Sequence, residues 1–394
     1  MSTGANDKLT YTGSGVNYDL MDPFKRQAQL AARETANTLL RFGYKEIEAS
    51  RGESAYLVDI GNMILAIVEE GLGTKNIVAD NYDEAQTRSS YATIAQDTVA
   101  MIVNDMITLG ALPVSVAMHL AVGDSRWFND ATRVEALVEG WKNACIASGC
   151  TWGCGETPTL KGIINPDHAV LSGSAVGIIR DKSKMIIPRI ADNDAILFAE
   201  SLGINANGLT LARAIADRTD SPFKILANLL FPKKFPLREL AYGYDTELPD
   251  GQTYGEALLQ PTHLYVKLIE ACQEADVDLH YLVNITGHGW RKLMRAPGLF
   301  TYIVTELPTK REIFEFMIKH GPMDRKEAYG NLNMGAGFAL YVPQSDVQKV
   351  ISISKEINTP YRVYQAGYIK ESKQRTVVIK PENITFKGEE LQVR

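Results

Sequence analysis

One stretch constrains this chain more than any other. In Ile64-Leu65-Ala66-Ile67-Val68-Glu69-Glu70-Gly71-Leu72-Gly73-Thr74-Lys75 an apolar run stops at two carboxylates and gives way to a Gly-x-Gly-Thr-Lys turn. The run is short, partly β-branched and bounded by glycine, the pattern of a buried strand. Gly71 and Gly73 let the backbone take positive φ and approach a ligand closely. Thr74 offers a hydroxyl, Lys75 a positive charge, and Glu70 a hard oxygen ligand for magnesium. These groups at a strand end suit a metal–phosphate site. They also suit a surface turn in which Lys75 only neutralises Glu69 or Glu70, and a short glycine motif does not separate the two.

A second stretch bears on the first. In residues 95–110 Val99, Ile102, Val103 and Met106 form an apolar helical stripe, ended by Gly110 and Pro113. Asp97 and Asn104, seven residues apart, share one face of that helix, and Asp105 flanks them. Such a row could hold a metal against Glu70, or it could be an ordinary solvated face.

The remaining chain supplies the frame. Helix one is expected to begin at Asp22 as N-cap with Pro23 first, carrying Phe24, Ala28, Ala31, Thr35 and Leu39 on its apolar side and ending at Gly43. Residues 1–20 read as an extended arm and 44–60 as irregular. Strands are expected over 114–122 and 168–180, with Gly173 and Gly177 as close-approach points, and a helix over 130–148. Residues 148–157, with Gly155 and Glu156, read as a glycine-rich loop. Beyond Pro188 the elements begin afresh. Ala195–Glu200 is a strand, and the loop Ser201–Gly208 opens onto a helix from Leu209, a natural anion site. Asp278–Thr286 runs into Thr286-Gly287-His288-Gly289. Strands at 300–307, 335–342, 361–370 and 375–379 alternate with helices at 262–275, 310–320 and 345–358. Residues 217–257 give little. The order implies an α+β protein of two mixed lobes, 1–187 and 188–394. A Rossmann unit is excluded, because the Gly-x-Gly lacks its third glycine and no run of βαβ units follows.

Composition narrows the function classes. The 394 residues suit about two domains. A net charge of −6 argues against nucleic-acid binding. No stretch approaches the length of a membrane span, so a soluble, cytoplasmic protein is expected. Four cysteines are few for a disulfide scaffold, and Cys145-x4-Cys150-x3-Cys154 fits zinc spacings poorly. His119, His263 and His280 sit among apolar residues and read as packed side chains.

Taken together, Tyr11-x3-Gly15-Val16, Gly71-Leu72-Gly73-Thr74-Lys75, Asp97-x6-Asn104-Asp105, Gly155-Glu156-Thr157, Asn207-Gly208-x2-Leu211-x-Arg213, Leu259-x-Pro261-Thr262-x2-Tyr265-Val266-Lys267, Thr286-Gly287-x-Gly289 and Asn333-Met334-Gly335-x-Gly337 occur in one order. The set resembles the aminoimidazole ribonucleotide synthetase (phosphoribosylformylglycinamidine cyclo-ligase) family. The resemblance implies two α/β domains, a homodimer, ATP and magnesium (Mg2+) as cofactors, and a small phosphorylated substrate. It implies cyclisation of formylglycinamidine ribonucleotide, or, as the alternative, another Mg-ATP-dependent synthetase or kinase reaction on a different small substrate. By this resemblance Glu70, Asp97 and Asp105 would hold metal. Gly71, Gly73, Thr74, Lys75, Asn104, Gly155, Glu156, Asn207 and Gly208 would hold the nucleotide side. Asn205 and Asn284 stand where the family carries histidines. Lys75 and His288 are the candidate catalytic residues, His288 as the replacement proton donor.

Overall fold

The computed structural model describes residues 15, 17–83, 89–218, 229–230, 242–321 and 323–391. The motif residues Tyr11 and Val16 lie outside this set, as does most of the stretch 217–241. Among the described residues the strands form two sheets, one per lobe. The fold is α+β, two mixed lobes.

The first lobe follows the order α1 (Tyr18–Glu34), β1 (Lys45–Glu46), β2 (Tyr56–Asp59), β3 (Ile64–Gly71), α2 (Lys75–Asp83), α3 (Tyr91–Met106), β4 (Leu112–Val122), α4 (Ala131–Ala147), β5 (Thr151–Glu156) and β6 (Ala169–Ile179). Its sheet runs β1-β2-β3-β6-β4-β5, antiparallel except for the β4–β5 pair. β3 alternates as expected of a strand with one covered face: Ile64, Ala66 and Val68 are buried while Ile67 and Glu69 face out. α3 lies on the covered face. It comes close because Gly173 and Gly177 carry no Cβ: one added at Gly177 would fall 2.0 Å from Met106 Sδ, and one at Gly173 3.0 Å from Ile102 Cδ1. This close approach brings the end of α3 over the end of β3.

The second lobe contains β7 (Ala195–Glu200), α5 (Leu209–Ala216), α6 (Tyr254–Leu258), α7 (Val266–Glu274), β8 (Tyr281–Asn284), β9 (Phe300–Val304), α8 (Glu312–His320), α9 (Arg325–Asn331), β10 (Ala336–Val342), α10 (Val347–Glu356), β11 (Val363–Glu371), β12 (Thr376–Ile379) and β13 (Ile384–Lys387). Its sheet runs β13-β12-β9-β11-β7-β10-β8, with only β12–β9 parallel. β7 and β10 are buried along their whole length, which explains their continuous apolar sequences. The lobes are fastened where Arg295 donates to Ser54 Oγ at 3.0 Å and the Gly52 carbonyl at 2.6 Å, and Tyr281 OH donates to Glu53 Oε2 at 2.8 Å.

Three expectations are corrected. α1 starts at Tyr18 rather than after Asp22, because Asn17 Oδ1 accepts from the Asp19 and Leu20 amides at 3.0 and 3.4 Å and forms the cap. Its apolar side is not buried: Phe24 is 72% exposed, and Asp22 is the residue turned inward. Residues 44–60 contain β1 and β2, and the glycine-rich 148–157 contains an edge strand, β5, exposed along most of its length.

Candidate active site

The end of β3 and the end of α3 set two carboxylates together. Glu70, half-buried, shares a hydrogen bond with the buried Asp105. Burial first, and the Asp105 charge second, push the Glu70 carboxyl up to about 8, against an opposing pull from Lys292. The second lobe closes over the pair. Asn284, at the end of β8, donates from Nδ2 to Asp105 Oδ1 at 2.7 Å. Lys292 lies in the short 3-10 helix Gly289–Met294; its ammonium donates to Thr286 Oγ1 and, at 3.3 Å, to the Asn284 carbonyl. Burial holds Lys292 down to about 8, although Asp105 and Glu70 favour its charge. Lys292 was not singled out from the sequence. Its signal was its place just after the Thr286–Gly289 turn.

Next along the chain, the glycine turn and the second-lobe loop face each other. Gly73 has φ 77°, and a Cβ there would sit 3.8 Å from the Ala206 carbonyl oxygen. Thr74 Oγ1 is 3.4 Å from Thr210 Oγ1 in the first turn of α5. Gly208 precedes α5 with φ 88°, and a Cβ on it would meet Leu332 Cδ2 at 2.4 Å. Asn205 is buried, also left-handed at φ 58°, and its Oδ1 has no hydrogen-bond partner. Asn207 is half-buried in the same loop. Gly71, expected at positive φ, is instead the last residue of β3 and stays extended.

Other expected site residues lie elsewhere. Lys75 and Asp97 are each 0% exposed and pair at 2.7 Å. The Lys75 ammonium also donates to the Gln260 carbonyl at 2.7 Å, and Asp97 Oδ1 accepts from the Thr262 amide at 2.7 Å. Asp97 is therefore the counter-ion of Lys75 and does not join Glu70 and Asp105. Burial raises its carboxyl, and Lys75 then Thr262 oppose that rise. Asn104 shares the face of Asp97 as the spacing required, but it clips the second lobe: Nδ2 donates to the His263 carbonyl at 2.8 Å and Oδ1 accepts from the Tyr265 amide at 3.0 Å. Gly155 and Glu156 end β5. Glu156 is in register with His119, on the face away from Glu70, and is exposed. His119 is not packed in a core; its Nδ1 lies 3.2 Å from Ser172 Oγ on that outer face.

His288 stands at φ 68° with Nε2 3.7 Å from Asp22 Oδ2. Burial, then Lys292, Arg291, Lys25 and Arg295, hold its imidazole down to about 3. At that value the ring is neutral near pH 7, the form that takes up a proton. His263 is held down to about 4 by burial and Arg311. Both histidines gain protons on unfolding below their ordinary value of about 6.5, so stability is lost as pH falls below that value. Going from about pH 7.5 to about pH 5 should cost on the order of 2 kcal/mol per histidine. Chemical denaturation of wild type and His263→Gln at the two pH values checks this. The variant should lose about 2 kcal/mol less over that interval; equal losses would contradict the assignment.

The family model for the AIR synthase related protein, N-terminal domain, matches residues 52–179. Proteins named phosphoribosylformylglycinamidine cyclo-ligase align over nearly the whole chain. The one from Carboxydothermus hydrogenoformans is 30% identical over 94% of this chain and 99% of its own. That from Pyrococcus horikoshii is 32% identical over 96% and 98%, and that from Methanobrevibacter smithii 30% identical over 88% and 91%. Among solved structures, ThiL complexed with AMPPCP and TMP superposes with a TM-score of 0.54 at 14% identity, covering 96% of this chain and 97% of its own. The hydrogenase maturation protein HypE in complex with ATP superposes at 0.52 and 14% identity, covering 82% and 84%. These two likenesses support the fold alone.

Proposed function

The chain belongs to the aminoimidazole ribonucleotide synthetase (phosphoribosylformylglycinamidine cyclo-ligase) family, and from that membership we propose that it is an ATP-dependent cyclo-ligase converting formylglycinamidine ribonucleotide to aminoimidazole ribonucleotide in purine biosynthesis. The observation that carries the reading is the Glu70–Asp105 pair at the end of β3, three residues before the Gly73 turn that faces the Ala206 loop, in a chain 30–32% identical to enzymes of that name.

The donor set fits Mg2+. Two carboxylates are hard oxygen ligands, and their mutual repulsion in a buried site is relieved by a cation. Glu70 and Asp105 would hold the metal; Asp97, paired with Lys75, would not. When bound, the metal supplies charge neutralisation to the transferring phosphoryl group. Asn284 fixes the Asp105 carboxylate through its 2.7 Å hydrogen bond. The amide of Gly73, the first turn of α5 and the hydroxyls of Thr74 and Thr210 line the facing loops and suit phosphate oxygens. Phosphorylation makes the amide oxygen a leaving group, and the neighbouring amidine nitrogen closes the ring as phosphate departs. The lobes exclude water and orient the reactants.

The second reading is another Mg-ATP-dependent synthetase or kinase acting on a different small substrate. It is favoured by the buried Asn205 Oδ1 without a partner, on the substrate-side loop. Phosphate release from Mg-ATP with and without formylglycinamidine ribonucleotide, with mass analysis of the product, separates the two. Stoichiometric phosphate and aminoimidazole ribonucleotide support the cyclo-ligase. Hydrolysis or binding of ATP without that product supports the second.

The homodimer also belongs to this reading. The outer face of the first-lobe sheet exposes Ile67, Val114, Val170 and Val176, apolar residues on three adjacent strands. A second copy would cover them. Sedimentation should give a dimer for wild type and a monomer for Ile67→Asp/Val176→Asp; a wild-type monomer would remove the proposal. We draw the boundary between the lobes at 187/188, in the segment that joins β6 to β7. No helix among the described residues is long and apolar enough to cross a membrane.

A further inference from the structure

The turn joining α4 to β5 plays no part in the chemistry above, yet it is built around two thiols. α4 ends at Ala147, and Gly149 follows in the left-handed region at φ 68°. The Cys150 amide donates to the Cys145 carbonyl at 3.0 Å and the Gly149 amide to the Ile146 carbonyl at 3.1 Å. These are the two hydrogen bonds of a Schellman motif, in which the third-last helical residue and the second residue past the cap bring their side chains together. That pair is usually apolar. Here it is Cys145 and Cys150, both free thiols, the first buried and the second half-buried.

The Cys150 thiol donates back to the Cys145 carbonyl at 3.6 Å. Cys145 is the hydrogen-bond partner of Cys150, which lowers the Cys150 thiol from its ordinary value while raising that of Cys145. Cys150 is thus the thiol that ionises first, and the more exposed. The turn is also approachable: Gly149 lines an open groove of about 580 Å³ bounded by Leu112, Val114, Arg180 and Glu270.

We propose that Cys145 and Cys150 form a reversible intramolecular disulfide by exchange with a small-molecule disulfide of the glutathione class. The Cys150 thiolate attacks one sulfur of oxidised glutathione. The S–S bond breaks, one glutathione thiolate leaves, and a mixed disulfide remains on Cys150. Cys145 gives its proton to solvent and attacks the Cys150 sulfur, expelling the second glutathione. The two protein thiols lose two electrons in total, and one glutathione disulfide is reduced to two thiols. The backbone hydrogen bonds of the turn already hold the pair, so closure needs little rearrangement. The bond would tie the last turn of α4 to the start of the edge strand whose far end is Gly155-Glu156.

The test uses the full chain in glutathione redox buffers, quenched with iodoacetamide, digested and weighed. The expected result is complete conversion of the peptide material holding Cys145 and Cys150 to a species lighter by two hydrogen atoms and unalkylated at both positions. Dithiothreitol should reverse it, and Cys154→Ser should leave it unchanged. Cys150→Ser should abolish it. A stable glutathione adduct on Cys150 that never passes to Cys145, or pairing of Cys150 with Cys154, would overturn the proposal. The Cys154→Ser arm keeps the test decisive even where Cys150→Ser does not fold.

Discussion

Lys75→Met should cost about 3–5 kcal/mol of unfolding free energy, the usual consequence of removing one member of a buried ion pair. The Lys75 ammonium and the Asp97 carboxylate are both 0% exposed and 2.7 Å apart, so the variant leaves a carboxylate in the interior with only the Thr262 amide and hydroxyl for support. The loss should shrink as pH falls, because the unpaired Asp97 has a folded pKa above its unfolded value and regains its place by taking a proton. Lys75→Met/Asp97→Leu should recover most of the loss, since an apolar pair of similar volume costs little against a buried ion pair. Urea denaturation of the two single variants and the double variant measures this. The competing role for Lys75, a charge on the phosphates of ATP, leads elsewhere: unchanged stability with weakened nucleotide binding. That outcome would show that the turn opens in solution to release the lysine.

The reach of the sequence here follows from what sets each feature. β7 and the start of α5 were legible to the residue, because a continuous apolar strand, a glycine loop and a helix start are local patterns. α1 was misread because an apolar stripe is taken as the docked face, whereas this helix turns Asp22 inward and presents Phe24 to solvent. β5 was read as a loop because an edge strand exposed on most sides has no alternation to betray it. In the site, the spacing correctly put Asp97 and Asn104 on one face of α3. It did not reveal that residues 260–265 of the other lobe run along that face and take up both side chains. Contacts between residues some 160 positions apart leave no mark on either local pattern. Asn284 was noticed only as a departure from the family; its place over Asp105 required the two lobes together.

Because Lys75 pairs with Asp97 and stands apart from the carboxylates proposed to hold metal, Glu70→Gln is the sharpest test of the proposed chemistry. Asp105 is buried and Glu70 half-buried, and they repel one another, with Glu70 held up to about 8. A glutamine keeps the shape, keeps a hydrogen bond to Asp105 and removes the repulsion. Stability of the metal-free protein should therefore stay within about 1 kcal/mol of wild type or rise. Turnover should behave in the opposite way: losing one of two anionic ligands should lower substrate-dependent phosphate release by about 10²–10³-fold, in the range seen when a preorganised charge-stabilising group is removed. Asp105→Asn should match it in rate, although it also disturbs the hydrogen bond from Asn284. Calorimetry with Mg2+ alone supplies a readout independent of activity, with weaker binding expected for both variants. A destabilised Glu70→Gln that still turns over would assign the pair to the fold. Proteins normally bury carboxylates beside a partner of opposite charge, as Asp97 is buried beside Lys75. On the reading proposed above, two carboxylates set against each other, with Lys292 offsetting only part of the cost, are arranged to receive a cation.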